Sequence, residues 1–380
     1  MKRHDWTETI KGNIFFFKLV GFWPEGDAGY KINFYTLYSI SITIAFAFSH
    51  SFFQTFQLVR NLDDLDIVAG TAFLAISESL VVVKMFYLAR NIQTFKKLLV
   101  TLNSDLFQPR SVEQILLVSP SVEVWKLMYK LLCGSITMVL IFLTLVPIVD
   151  KSYKRYRLPL IAWYPYNTKA SPLYEITYLH QIISVFFLAI SNINIDTLVA
   201  ALSMYAGAQL DILCDNLRNL APDHFEENLT KCVHHHREIV RFVQRFNQVF
   251  DLIILVQFFA SALSLGLTMF LMTVVAPLTN EFYLFLFYGN AVLLEIFVYC
   301  WFGNEVQIKS NNLLYVAFES NWVEASLVAK KHLIFFMMRA QRIITVSAVN
   351  LFDLSLEIFL KILRTSWSYF ALMNQLHSDN

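Results

Sequence analysis

Three groups of residues combine types and spacings that chemistry would need. The run His234, His235 and His236, with Cys232 and His224 nearby, has the side-chain types of a metal site. Adjacent histidines on a helix point in different directions, and only Cys232 with His235 or His236 has the i, i+3 or i, i+4 spacing of a helical ligand pair. That supplies two ligands where a structural zinc site takes four. The spacing therefore favours packed or solvated cytosolic side chains, and it implies neither metal nor cofactor.

The second group is charge inside an apolar stretch. Glu78 and Lys84 lie in a segment otherwise fit to cross a membrane, where an ionised side chain is costly unless paired or wet. Lys84 stands near the cytosolic end, which favours a side chain snorkelling to the interface. Glu78 sits mid-span and stays a functional candidate.

The third group is the final helix, Ser355 to Gln375. At about 100° per residue, Glu357, Lys361, Arg364, Ser368 and Gln375 fall within about 60° of one another. Leu356, Phe359, Ile362, Leu363, Phe370 and Met373 occupy the other faces. The stretch from Ser355 to Met373 rises about 28 Å, close to one bilayer core. Such a stripe must face protein or a water-filled lumen. It is either a seam packed within one bundle, with Glu357 and Lys361 as an i, i+4 pair, or the wall of a lumen built from symmetry-related copies. Ala371 and Leu372 interrupt it, and an apolar ring there would gate by dewetting.

A fourth, weaker pattern lies in the outer halves of four spans. Phe73, Ile76, Ser77, Thr137, Ile141, Thr144, Tyr174, Tyr178, Gln181, Phe285 and Tyr288 give many aromatics and few polar groups. An apolar cavity with a few hydroxyls suits a small lipophilic ligand. The alternative is plain helix packing, since the chain has 35 Phe.

These residues need helices to hold them. The chain of 380 residues is 56% hydrophobic and 16% charged, with net charge +1 and mean hydropathy +0.50. A soluble domain has roughly 25% charged residues, so the composition is that of a membrane protein and gives no reason to expect nucleic acid. Apolar runs of about 20 residues place spans near 34–58, 67–88, 127–149, 173–206, 249–276, 282–302 and 350–373. No strong internal repeat appears, against a transporter built on inverted repeats.

Lys and Arg in the connections set the direction. The N-terminal segment and the 89–126, 207–248 and 303–349 connections hold twenty, against six in Arg60 and the 150–172 loop. The expected fold is an all-α membrane protein of seven transmembrane helices, N-terminus cytosolic and C-terminus extracellular. The organisation reads as 1–33, cytosolic or interfacial, with Phe22 and Trp23 as aromatic anchors; 34–206, helices one to four; and 207–248, a cytosolic helical connection. Then follow 249–302, helices five and six; 303–349, a cytosolic layer holding subunits together; and 350–380, the last helix and a short tail. The sequon Asn228-Leu229-Thr230 falls on the cytosolic side, so it should carry no glycan. Cys133, Cys214, Cys232 and Cys300 lie in spans or on that side, which predicts free thiols.

The chain resembles the insect odorant receptor family. The stretch LSLEIFLKILRTSWSYFALM, Leu354 to Met373, is similar to that family's C-terminal signature, and YCWFGNEVQIKSNNLLYVAFESNW, Tyr299 to Trp322, to its sixth-helix exit motif. KKHLIFFMMRAQR, from Lys330, and TYLHQIISVFFLAISNINIDTL, from Thr177, match its style, so the resemblance spans the chain. It implies an odorant-gated, non-selective cation channel of olfactory neurons. Tuning subunits of about this length join longer co-receptor subunits in a heterotetramer. It further implies a volatile lipophilic ligand in the outer bundle and a pore lined by the last helix, which decides the stripe for a lumen. Leu372 and Leu376 take the constriction positions, with Gln375 beside them and Ser368 further along the wall. Where family members often have Pro, and then Gly-Gly entering the last helix, this chain has Ile343 and Val349-Asn350. The departure bears on the backbone of that hinge, not on the fold.

A G-protein-coupled receptor is the closest competitor by span count. The charge asymmetry and the missing Asp-Arg-Tyr and Asn-Pro-x-x-Tyr motifs oppose it. A gustatory receptor of the same superfamily differs mainly in ligand class, and the Ser-Tyr-Phe ending argues against it. A membrane enzyme would need an acid, base or metal set in the spans, where Glu78 and His180 stand alone.

Overall fold

In hydrocarbon a backbone can satisfy its polar groups only within a helix or a closed barrel, and this chain is helical almost throughout. The computed structural model describes residues 3–26, 29–61, 63, 65–349 and 351–378. Lys2 and Asn350, which entered the charge count and the hinge expectation, lie outside the described residues.

A short helix α1 (Lys11–Leu19) precedes the first span, which runs as α2 (Phe34–Ile42), a π-helical stretch (Thr43–Phe48) and α3 (Ser49–Arg60). Then come α4 (Leu65–Leu102), α5 (Val112–Val149), α6 (Leu173–Arg218), α7 (Phe225–Val274) and α8 (Asn280–Glu319). After α9 (Leu327–Ala340), a two-residue hairpin, β1 (Ser347–Ala348) with β2 (Phe352–Asp353), leads into α10 (Leu356–Ser378). Among the described residues six helices are long and apolar enough to cross a membrane. The seventh, α10, has 23 residues and rises about 35 Å, enough to cross despite its charges.

At 46, 50 and 40 residues, α6, α7 and α8 run to about 60–75 Å, twice a bilayer core of about 30 Å. They continue past it as a packed helical layer. α6 is the central element, packed most extensively on α8, while α4 packs on α7. The N-terminal segment docks on this layer. Asn13 donates to the Thr197 hydroxyl at 2.7 Å, Trp6 Nε1 to the Phe107 carbonyl at 3.2 Å, and the Tyr205 hydroxyl to the Trp6 carbonyl at 2.6 Å. On α1, Phe17 is buried while Phe15 and Leu19 are exposed, the split expected of an interfacial helix.

Two local irregularities position the site. The π-helical stretch frees the Ala45 carbonyl from regular pairing. It accepts from Ser49 Oγ at 2.6 Å and His180 Nε2 at 2.9 Å, so His180 is a backbone partner between the first span and α6. The hairpin ahead of α10 is held by Asn247, which donates to the Thr345 carbonyl at 3.2 Å. Phe352 stacks on Phe258 at 5.5 Å, and Leu354 packs so closely over Gly303 that no Cβ would fit there. The last helix therefore starts at Leu356, later than the expected 350, because the preceding residues form this hairpin.

Candidate ligand cavity and outward-facing last helix

A cavity of about 100 Å³ opens among α4, α5, α6 and α8. Leu74 and Val81 of α4, Leu140 and Leu143 of α5, Val185 and Leu188 of α6 and Val292 of α8 make its apolar wall. Its polar lining is Ser77, Glu78, Asn192, Tyr288 and Glu295. Tyr288 donates to the Phe73 carbonyl at 2.7 Å and lies 2.5 Å from the Ser77 hydroxyl. A phenol has one proton, so Ser77 is the donor in that second bond. Phe73 meets Phe285 and Tyr288 edge to face, with ring centroids 5.2 and 4.9 Å apart.

Beneath the cavity lies an ion cluster. Lys84 Nζ donates to Asn192 Oδ1 at 2.7 Å, Asp196 Oδ1 at 2.6 Å and Glu295 Oε1 at 3.1 Å. Asn192 donates to the same Glu295 oxygen at 3.1 Å, and Tyr299 to Asp196 Oδ1 at 2.7 Å. Lys84 is fully buried, so it does not snorkel: partners on α6 and α8 meet all three of its protons. Glu78 is paired separately, with Oε2 3.2 Å from His50 Nε2, yet that oxygen lacks a properly oriented hydrogen bond among the described residues.

The pocket residues picked from the sequence have different placements. Ser77 and Tyr288 line the cavity, with Phe73 and Phe285 immediately behind Tyr288. Ile76 is half-buried against the core. Residues nearer the outer loops hold backbone: Tyr178 donates to the Thr144 carbonyl at 3.0 Å, Tyr174 to the Arg157 carbonyl at 2.9 Å, and Gln181 clasps Leu160 through both its amide atoms at 3.1 Å. The Thr144 hydroxyl bonds Leu140 of its own helix at 2.7 Å. Thr137 and Ile141 face outward, while the adjacent Ile136 and Leu140 line the cavity. The residues missed, Asn192 and Glu295, carried a signal: each is a polar side chain inside an apolar span.

On α10, one face is buried and the other is not. Ile362 and Ser366 pack inward, and Tyr369 crosses Gly266 of α7, where a Cβ would stand 2.7 Å from the Tyr369 Cβ. Phe359 meets Phe297 of α8 at 5.5 Å. Glu357, Lys361, Arg364, Ser368 and Gln375 are exposed, with Glu357 and Lys361 2.7 Å apart. Leu372 and Leu376, 55% and 46% exposed, share that outer face. The polar stripe is therefore not a seam within this chain's own bundle.

The histidine run is packed in the helical layer. His235 donates to Gln209 Oε1 at 3.0 Å, and the ring of His236 meets Phe336 of α9 at 5.4 Å. Among the described residues no three His, Cys, Asp or Glu side chains converge as a metal set would. All four cysteines are free thiols.

The family model for the 7tm odorant receptor matches residues 67–367. The chain is 23% identical over 378 residues to odorant receptor 46a, isoform A, of Drosophila melanogaster, covering 97% of this chain and 98% of that one. It is 22% identical to odorant receptor Or1 of Anopheles gambiae, covering 95% and 94%. Its fold is similar to that of the olfactory receptor OR5 of Machilis hrabei, with TM-score 0.88, 18% identity and coverage of 98% of this chain and 100% of that one. The same receptor in complex with eugenol gives 0.86. A match over this much of its length makes the chain a member of the 7tm odorant receptor family, a family of receptors rather than enzymes.

Proposed function

We propose that this chain is the odorant-tuning subunit of a ligand-gated, non-selective cation channel in the plasma membrane of insect olfactory sensory neurons. Its N-terminus is cytosolic and its C-terminus extracellular. It assembles with co-receptor subunits in a heterotetramer, binds a small volatile molecule in the α4–α5–α6–α8 cavity, and contributes α10 to a central pore.

The observation that carries this is the outward polar face of α10. Glu357, Lys361 and Arg364 are exposed on a helix long enough to cross a membrane, and lipid does not tolerate that stripe. Copies arranged about an axis would place it on water, with Leu372 and Leu376 as the apolar constriction. A second surface fits the assembly. Phe335, Ile334 and Met338 of α9 are exposed, and a groove of about 530 Å³ runs beside them between α7 and α9. An apolar face of that kind suits contact with a neighbouring subunit.

Currents recorded from cells expressing this chain with a co-receptor, across a panel of volatiles, test the reading. Ligand-evoked cation current is expected, together with antibody access to a C-terminal tag on intact cells. A tag reachable only after permeabilisation would end the proposed topology. A panel that evokes no current from correctly surfaced protein would end the channel reading.

A further inference from the structure

The polar groups lining the cavity have spent most of their protons. Tyr288 donates to the Phe73 carbonyl, and Ser77 to Tyr288. Lys84 uses all three N–H groups on Asn192, Asp196 and Glu295. Asn192 gives one amide proton to Glu295 and has one left. What remains toward the cavity is overwhelmingly acceptor. Glu295 takes Lys84 and Asn192 on Oε1 and shares a further hydrogen bond with the Asp196 carboxyl, so it is the least open of these acceptors. Ser77 keeps its lone pairs. Glu78 lines the cavity, is only 6% exposed, and has Oε2 without an oriented donor among the described residues.

Within the cluster Lys84 faces two carboxyl groups that hydrogen-bond each other, so the carboxyl open to the cavity is that of Glu78, which has a single histidine beside it. A buried acceptor left without a donor is unfavourable, and the rest of the wall is aliphatic and offers none.

We infer that the cavity selects small lipophilic ligands with a hydrogen-bond donor, an amine or hydroxyl on a compact hydrocarbon frame, over acceptor-only isosteres such as ketones. This rests on the proposed role of the cavity as the ligand site and adds the chemistry of the head group. The donor lies at Glu78, beside Ser77, with the hydrocarbon against Leu140, Val185 and Leu188. The volume of about 100 Å³ is of the order of the roughly 150 Å³ apolar cavity that accepts benzene, so a six-membered ring is the scale of the frame.

Four compounds of nearly one shape separate the possibilities: cyclohexylamine, cyclohexanol, cyclohexanone and cyclohexane. In cells expressing the chain with a co-receptor, the amine and alcohol are expected to evoke half-maximal current at least tenfold below the ketone, with cyclohexane weakest. A site built to bond a donor rejects the analogue lacking it. Glu78→Gln, nearly isosteric, is expected to reduce the donor-to-ketone ratio to within threefold at unchanged surface expression, because a glutamine amide can donate to the ketone. Leu140→Phe, which fills the apolar wall, is expected to weaken all four.

A ketone as potent as the alcohol, in a receptor whose responses Leu140→Phe does alter, overturns the head-group inference and leaves the cavity standing. So does a channel opened by another volatile yet silent to the amine and alcohol at millimolar concentration. Responses untouched by Leu140→Phe overturn the cavity as ligand site, and the inference with it.

Discussion

Lys84→Met is the sharpest perturbation of the fold. Methionine keeps much of the lysine stem but removes the charge that faces Asp196 at 2.6 Å and Glu295 at 3.1 Å. At an effective dielectric constant of about 20, those distances correspond to gross attractions of about 6 and 5 kcal/mol. Desolvation of three buried charges cancels most of that in the intact cluster. In the variant the desolvation of the carboxylates stays and the attraction goes, and breaking a buried pair from one side costs about 3–5 kcal/mol. For a chain this long, about 2 °C of melting temperature per kcal/mol predicts a fall of about 6–10 °C. The assay is thermal unfolding of the detergent-solubilised receptor, followed by loss of the monodisperse peak, beside surface expression. The triple variant Lys84→Met, Asp196→Leu, Glu295→Met tests the cause, since apolar replacement of a whole buried cluster is often neutral or stabilising. It should recover most of the loss. A single variant melting within 1 °C of the parent, or a triple variant below the single, would refute the argument.

Other perturbations follow from the same packing. Gly266→Ala puts a Cβ within 2.7 Å of the Tyr369 Cβ, an overpacking worth about 1–3 kcal/mol; a displaced α10 should appear as a changed half-maximal ligand concentration as well as a lower melting temperature. Leu372→Ala should raise ligand-free current by widening the apolar constriction, and an unchanged basal current with normal surface expression would count against Leu372 as the gate. Lys361→Gln leaves Glu357 without the cation 2.7 Å away; single-channel cation conductance should rise, whereas Glu357→Gln should lower it.

How much of this was readable before the structure depends on what kind of physics placed each residue. The α10 stripe was legible because its period is intrinsic to one helix, and the inward face at Ile362 and Ser366, with half-buried Tyr369, follows from a single rotation. The choice between seam and lumen was not, because exposure depends on α7 and α8. On α5, the sequence pattern points to Thr137, Ile141 and Thr144 as the cavity face, whereas Ile136, Leu140 and Leu143 line it. In a helix apolar on every side the hydrophobic pattern does not fix the rotation, and an error of one residue swings a side chain by about 100°. Gln181 was a reasonable polar candidate for the ligand, but its amide is consumed by Leu160 of the neighbouring loop.

The two sets of membrane charges have opposite fates under one rule. A charge at membrane depth needs either partners or water. Lys84 finds partners because α6 places Asn192 and Asp196 one helical turn apart, facing Glu295 of α8. Among the described residues Glu357 and Lys361 pair only with each other, while Arg364 and Ser368 are exposed beside them. The first set holds one chain together. The second does not, since everything packed against α10 inside the chain meets its other face. Neutralising the inner cluster as a whole should therefore leave a foldable receptor. Replacing the outer stripe with leucine should leave the monomer folded as well, but remove the requirement for water beside α10. If such a stripe variant still assembled and conducted at the parental level, α10 would not be the wall of the pore.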